Sequence, residues 1–308
     1  MTFSANNYLD MVSFASTSIL CVVCVCGVIG NAIILGIGIS KRKYQKNVTN
    51  CFIMNLAITD LLFLLISVPL TMYLAVSNVW IFGEFMCKMH IYLAHVLLQA
   101  TCYTLAAMSI DRYLSIVHDF WYRRYRTPKQ ALIICILVWM ISGVFMFPYD
   151  YLLHTDIDKH NNSSGELDCT VNNDSFFSSC IFTFTFYYVL PLLIIGLCYS
   201  RVFSHVRYHG SKIARQLSRH NSRTIRFKKR RVKRVLLGLT LAFALCWLPI
   251  HILELVQCSQ ILSYSFFVKH ADLLTIARIF AHGLSYFNSC LNPFLYAMLN
   301  KSYFFEVQ

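Results

Sequence analysis

Charge is what this 308-residue chain has least of: Asp, Glu, Lys and Arg make 13% of it, against 57% hydrophobic residues. So few polar groups cannot cover a water-facing surface, which excludes a soluble globular protein and places the chain in lipid. No catalytic triad, metal-ligand spacing or phosphate-cradling loop is visible, so neither an enzyme nor a bound cofactor is expected. An inverted repeat and a filter-like loop are also missing, which argues against a transporter or channel. The first twenty residues lack a basic leader and a small-residue cleavage site, so the first apolar span is expected to serve as its own signal. Acidic residues are scarcer than basic ones, 14 against 27. Such an excess suits nucleic acid only if the basic residues form one surface, and they do not.

What is present is seven apolar stretches of about twenty residues, the length that crosses a bilayer. They are Met11–Ile39, Cys51–Ala75, Lys88–Val117, Ala131–Phe147, Phe176–Tyr199, Val235–Val256 and Leu273–Leu299. The expected fold is all-α: one seven-helix membrane bundle over residues 11–299, a short outer segment 1–10, and a cytoplasmic segment 300–308. In that last segment Asn300 to Phe305 is expected to form an amphipathic helix lying on the membrane lipid. Of the 27 Lys and Arg, 22 fall on alternate connections, with thirteen between Arg201 and Arg234. Those connections are therefore cytoplasmic and the N-terminus is outside. The outer side is acidic, with Asp10, Glu84, Asp150, Asp156, Asp158, Glu166, Asp168, Asp174 and Asp272 outnumbering Lys88, Lys159 and Lys269, which favours a basic ligand arriving from outside.

The third span carries the chain's most specific chemistry. From Cys87 to Tyr113 it runs without a breaker for about 37 Å, ending at Asp111-Arg112-Tyr113 on the cytoplasmic side. Taken alone, Arg112 could be a positive-inside anchor. The second span places Asp60 about 14 Å beyond Cys51, near the bilayer midplane, with no Lys or Arg at matching depth. Neutral oxygens at similar depth come from Asn31, Thr101, Asn288, Ser289 and Asn292. That surrounding suits either a protonated carboxyl in a hydrogen-bond network or a small hard cation such as sodium. Pro69, Pro148, Pro191, Pro249 and Pro293 each fall in a different span and are expected to bend it. Cys87 and Cys169 both lie on the oxidising side and can pair, whereas Cys258 has no evident partner. Sequons at Asn161, Asn162 and Asn173 in the longest outer loop are expected to be glycosylated.

These residues together resemble a rhodopsin-like (class A) G protein-coupled receptor, and the resemblance covers the whole chain. It rests on Asn31, Leu56-Ala57 with Asp60, Cys87, Asp111-Arg112-Tyr113, Trp139, Cys169, Pro191, Tyr199, Trp247 with Pro249, and Asn292-Pro293 with Tyr296, in order and each on its expected span. The run Arg278 to Tyr286 before Asn288-Ser289 is similar to galanin receptors. Gln99-Ala100-Thr101-Cys102 through Asp111-Arg112 resembles both galanin and kisspeptin receptors. Ala94 and Tyr286 stand where amine receptors and opsins carry an aspartate and a lysine, so those ligand classes are not expected.

The resemblance implies a plasma-membrane receptor for an extracellular neuropeptide of the galanin, allatostatin-A or kisspeptin kind, with a heterotrimeric G protein as partner. A receptor of this fold for a lipid, or a constitutively active one, is the alternative. Tyr92, His95 and Gln99 share one helical face, His251 and Glu254 a second, and Arg278, His282 and Tyr286 a third; with Trp247 these are the expected ligand contacts. Asp111, Arg112, Tyr113, Tyr199, Phe243, Trp247, Pro249, Asn292, Pro293 and Tyr296 are implied to carry activation. Asp60, Asn31, Thr101, Asn288 and Asn292 are implied to hold an allosteric sodium ion. The sixth span's foot is basic at Lys229 where an acid would hold Arg112, so Arg112 is expected to lean on Asp111 alone, with appreciable basal signalling.

Overall fold

The computed structural model describes residues 2–77, 80–147, 155–159, 167–171, 176–216, 219–259 and 264–299. Seven long helices run in alternate directions: α1 (Thr2–Ser40), α2, α3 (Gly83–Val117), α4 (Pro128–Met146), α5, α6 (Arg219–Cys258) and α7 (Ala271–Leu299). Two of them are composite. α2 joins Val48–Leu62, a π-helical turn Phe63–Ser67 and Val68–Ser77, and α5 joins Phe176–Thr183, a π-helical turn Phe184–Val189 and Leu190–Gln216. Six are long and apolar enough to cross a membrane. α7 has the length but carries His282, Ser285, Asn288, Ser289 and Asn292. One antiparallel hairpin, β1 (Thr155–Lys159) and β2 (Leu167–Val171), belongs to the outer loop and pairs Ile157 with Cys169. The expected glycosylation sites Asn161, Asn162 and Asn173, Pro148, and the expected helix after residue 299 lie outside the described residues, as does the Lys229 side chain.

The helix ends follow local chemistry. Asn47 caps α2 by accepting from the Thr49 amide at 3.1 Å, and Thr127 caps α4 ahead of Pro128 at its first turn. α1 starts at Thr2 rather than at the expected Met11, because nothing between Thr2 and Cys26 is a glycine or proline that would stop it. The prolines do not act alike. Both π turns end immediately before an X-Pro pair, with the amides of Val68 and Leu190 reaching Phe63 and Thr185, five residues back. A proline has no amide to give and crowds the carbonyl four residues earlier, and a single wide turn absorbs that mismatch in α2 and α5. Pro249 and Pro293 lie within continuous α-helix.

Small and polar residues fix the packing. A Cβ on Gly27 would overlap the Cys290 sulfur and come within 2.7 Å of Leu64, so α1, α2 and α7 meet there at backbone distance. Gly27→Val is therefore expected to overpack this junction by about 1–3 kcal/mol, read as a lower melting temperature of the detergent-solubilised protein. Asn55 joins three helices: it donates to Thr104 at 2.8 Å and accepts from the Trp139 indole at 2.9 Å. The bond to Thr104 is buried and that from Trp139 part-buried, so an orphaned partner at Asn55 is costly. Leu132, Ile136, Leu137, Met140, Ile141 and Val144 of α4 point outward and are exposed, as a lipid-facing wall requires.

Candidate functional site

Three clusters stack along the bundle axis. The outermost sits under two disulfides. Cys87 at the start of α3 bonds Cys169 of β2 across 5.7 Å between Cα atoms, which lays the hairpin over α3. Cys180 of α5 bonds Cys258 at the end of α6, with Cα atoms 6.4 Å apart. This second tie corrects the expectation that Cys258 lacks a partner. Cys180 falls in an apolar run, and only the helical register of α5 against α6 brings the two together. Below it the same helices are joined by ring contacts of Phe184 and Tyr188 with His251, and by the Tyr188 hydroxyl donating to the Ala244 carbonyl at 2.8 Å.

Beneath this cover the expected ligand residues separate into two groups. Trp247, His251, Glu254, His282, Tyr286 and His95 converge. Trp247 packs on Phe243, Phe63 and His251, and Tyr286 packs on Phe63 and His282, giving an aromatic floor. The Nδ1 of His251 lies 3.5 Å from the Glu254 carboxylate, while His95 and His282 are near enough to act on it electrostatically. Arg278 stands at the rim, its guanidinium hydrogen-bonded to the Gln257 amide oxygen. Tyr92 instead donates to the Gly143 carbonyl of α4 at 3.0 Å, and Gln99 is buried within the bundle. Trp80 is outside the expected set, yet its indole donates to the Gly83 carbonyl at 2.7 Å and stacks on His90. The positive φ of Gly83, +77°, shapes that turn, and the Trp-x-x-Gly spacing was its signal.

The middle cluster is polar and buried. Asn292 donates to Asp60 Oδ2 at 2.7 Å, while Asp60 Oδ1 is buried without a hydrogen-bond partner. Asn31 donates to the carbonyls of Gly27 and Ser289, both at 3.0 Å, leaving its own Oδ1 unpartnered, as is Oδ1 of Asn288. Thr101 donates to the Thr59 hydroxyl at 3.1 Å. Buried oxygens with free lone pairs and one carboxylate, with no protein cation beside them among the described residues, are a donor set that fits a hard monovalent cation.

The innermost cluster differs from expectation. Asp111 does not serve Arg112 alone: Arg126 holds both of its oxygens, Nε to Oδ1 at 2.8 Å and the terminal nitrogen to Oδ2 at 2.9 Å. Tyr122 donates to Oδ1 at 3.2 Å. Arg112 keeps only a 4.0 Å approach to Asp111 and hydrogen-bonds the Thr49 hydroxyl of α2. The physical reason is geometric. The inner loop folds a short helix, Asp119–Tyr122, back under α3 and aims the planar guanidinium of Arg126 at the carboxylate in the bidentate fork. Burial, then the charge of Asp111, push the Tyr122 phenol up to about 12, so it remains a donor. Burial works against the Arg126 cation, yet the bonds and charge of Asp111 hold its pKa above the ordinary value. Tyr199 sits beside Arg112, Ser109 and Thr240. Tyr113 reaches His118 at 3.2 Å, and Phe243 and Tyr296 are buried between the clusters.

Residues 30–296 match the 7 transmembrane receptor (rhodopsin family). The chain is 33% identical to galanin receptor 2b of Danio rerio over 279 residues, covering 90% of this chain and 69% of the relative. It is 32% identical to the KiSS-1 receptor of Rattus norvegicus over 284 residues, 90% and 69%. With the allatostatin-A receptor of Bombyx mori it shares 30% over 280 residues, 90% and 74%.

Proposed function

Because the chain belongs to the rhodopsin family of seven-transmembrane receptors, we propose that it is a plasma-membrane receptor for an extracellular peptide of the galanin, kisspeptin or allatostatin-A kind, acting on heterotrimeric G proteins. The observation that carries the reading is the stacking of an outer aromatic and imidazole cluster, an inner Arg112 seat, and a continuous packed column between them. A peptide entering under the β1–β2 hairpin meets Trp247, His251 and Glu254 on α6 and His282 and Tyr286 on α7. Trp247 packs on Phe243 one turn below, so displacement of the indole is felt at the core contact of Phe243 with Tyr188. Cys180–Cys258 joins the outer ends of α5 and α6, so relative motion of their inner ends falls at the π turn Phe184–Val189, Pro191 and Pro249. The inner end of α6 then moves from Tyr199 and Arg112, and Arg112, Tyr199 and Tyr296 form the seat for the G protein. The drive is the difference in peptide affinity between the two arrangements.

The test is guanine-nucleotide exchange on a G protein panel, in membranes carrying the chain, with amidated galanin-like, kisspeptin-like and allatostatin-like peptides. Peptide-dependent exchange establishes the reading, and exchange that no peptide alters while high without any would replace it by a constitutive receptor.

An allosteric sodium ion is proposed at the middle cluster, where Asp60, Asn31, Thr101, Asn288 and Asn292 would hold it and the ion would neutralise the carboxylate. What supports it is the set of unpartnered buried oxygens at Asp60, Asn31 and Asn288. Raising sodium in place of a large organic cation at constant ionic strength is expected to lower exchange severalfold in the wild type. Asp60→Asn removes that dependence. A sodium response that persists in the variant would place the ion elsewhere.

A further inference from the structure

The outer cluster contains an electrostatic imbalance. Glu254 projects from α6 with its side chain 44% exposed toward the mouth of the bundle, and among the described residues its ion-pair partner is His251, an imidazole rather than a permanent cation. His251 is 3% exposed, its Nδ1 facing the Glu254 carboxylate at 3.5 Å and its Nε2 without a hydrogen-bond partner. The groups facing Glu254 from neighbouring helices are His95 of α3 and His282 of α7, again imidazoles. Arg278, the nearest guanidinium on α7, lies one helical turn outward of His282 and is held by Gln257, itself about one turn outward of Glu254. The mouth therefore presents a cation at its rim and, below it, a carboxylate whose described neighbours are imidazoles rather than a permanent cation. A partly desolvated carboxylate gains more from a bound cation than one in water does.

We infer that Glu254, with His251 and His282 beside it, is the seat for a positively charged group, a guanidinium or a primary amine, on the buried end of the ligand. This rests on the peptide-receptor reading and adds the chemistry of the inserted end. Arg278 at the rim then meets a carbonyl or carboxylate one residue or so further along the ligand. With Nδ1 turned to the carboxylate, His251 keeps a lone pair on Nε2 for a multi-donor cation, and the floor of Trp247 and Tyr286 offers that cation an aromatic face.

Two pairs of short probes separate the sources of charge: acetyl-Phe-Arg-amide against its citrulline analogue, and Gly-Phe-amide with a free against an acetylated amine. Binding to the purified full-length chain is read by saturation-transfer NMR and thermal shift, with wild type, Glu254→Gln and Glu254→Asp compared. The wild type is expected to bind the charged member of at least one pair tenfold or more tightly than its neutral analogue. Glu254→Gln abolishes that preference and Glu254→Asp keeps part of it, which shows that the loss in Gln is not misfolding. Equal binding of charged and neutral probes to the wild type overturns the inference, as does a preference that survives in Glu254→Gln. Because these probes need no signalling, silence of the wild type toward every peptide in the exchange assay would count against the peptide reading alone.

Discussion

Arg112→Ala is expected to reduce peptide-stimulated guanine-nucleotide exchange at least tenfold at equal surface expression, and Arg126→Ala to reduce basal exchange by a comparable factor. The first follows from position: Arg112 is the cation at the inner mouth beside Tyr199, and alanine offers a G protein neither charge nor donors. The second follows from competition. Arg126 now occupies both oxygens of Asp111, and Arg112 waits at 4.0 Å. With Arg126 gone, a buried carboxylate left half-paired turns to the nearest cation, and a charged hydrogen bond of about 1.5–3 kcal/mol then holds Arg112 back. Thr49→Ala should move basal exchange in the opposite direction, since it removes the bond that parks Arg112 against α2. Basal exchange that is unchanged in Arg126→Ala, with the protein at the surface, would show that the Asp111–Arg126 pair only braces the inner loop. A double variant with Asp111→Asn distinguishes coupling from independent effects, because coupled partners do not add.

Removing the tie between α5 and α6 is the second large effect. Cys180 and Cys258 lie 78 residues apart in sequence, and the chain-entropy account of a loop that long gives about 4.5 kcal/mol. The value is an upper figure here, since a membrane already confines both helices when the bond is absent. Cys180→Ser, Cys258→Ser and the double variant should lower the melting temperature alike, by roughly 5–10 °C. Equality of single and double variants is the diagnostic, because one bond can be lost only once. Peptide potency should fall with stability, since outer halves that can splay dissipate strain that otherwise reaches Pro191 and Pro249. Melting curves of purified protein under non-reducing conditions decide the first point. A double variant that melts with the wild type would show that the two cysteines are not bonded in the folded protein.

The sequence by itself determined the membrane, the seven spans, their direction and the family, because these depend on quantities that add along the chain: apolar length, the alternation of basic loops, and motifs read in order. It also placed Asp60, Asn292 and Arg112 at their depths, since helical rise converts residue number into height. Tertiary structure alone decided which side chains meet, because partnership depends on the rotation of each helix about its axis and on how loops fold back. That rotation brings Cys180 to Cys258, sends Tyr92 to α4 rather than toward the floor of Trp247, and leaves Glu254 among imidazoles. The folding back of the second inner loop gives Asp111 to Arg126. In each case the sequence carried the residue, and no local pattern carried its partner.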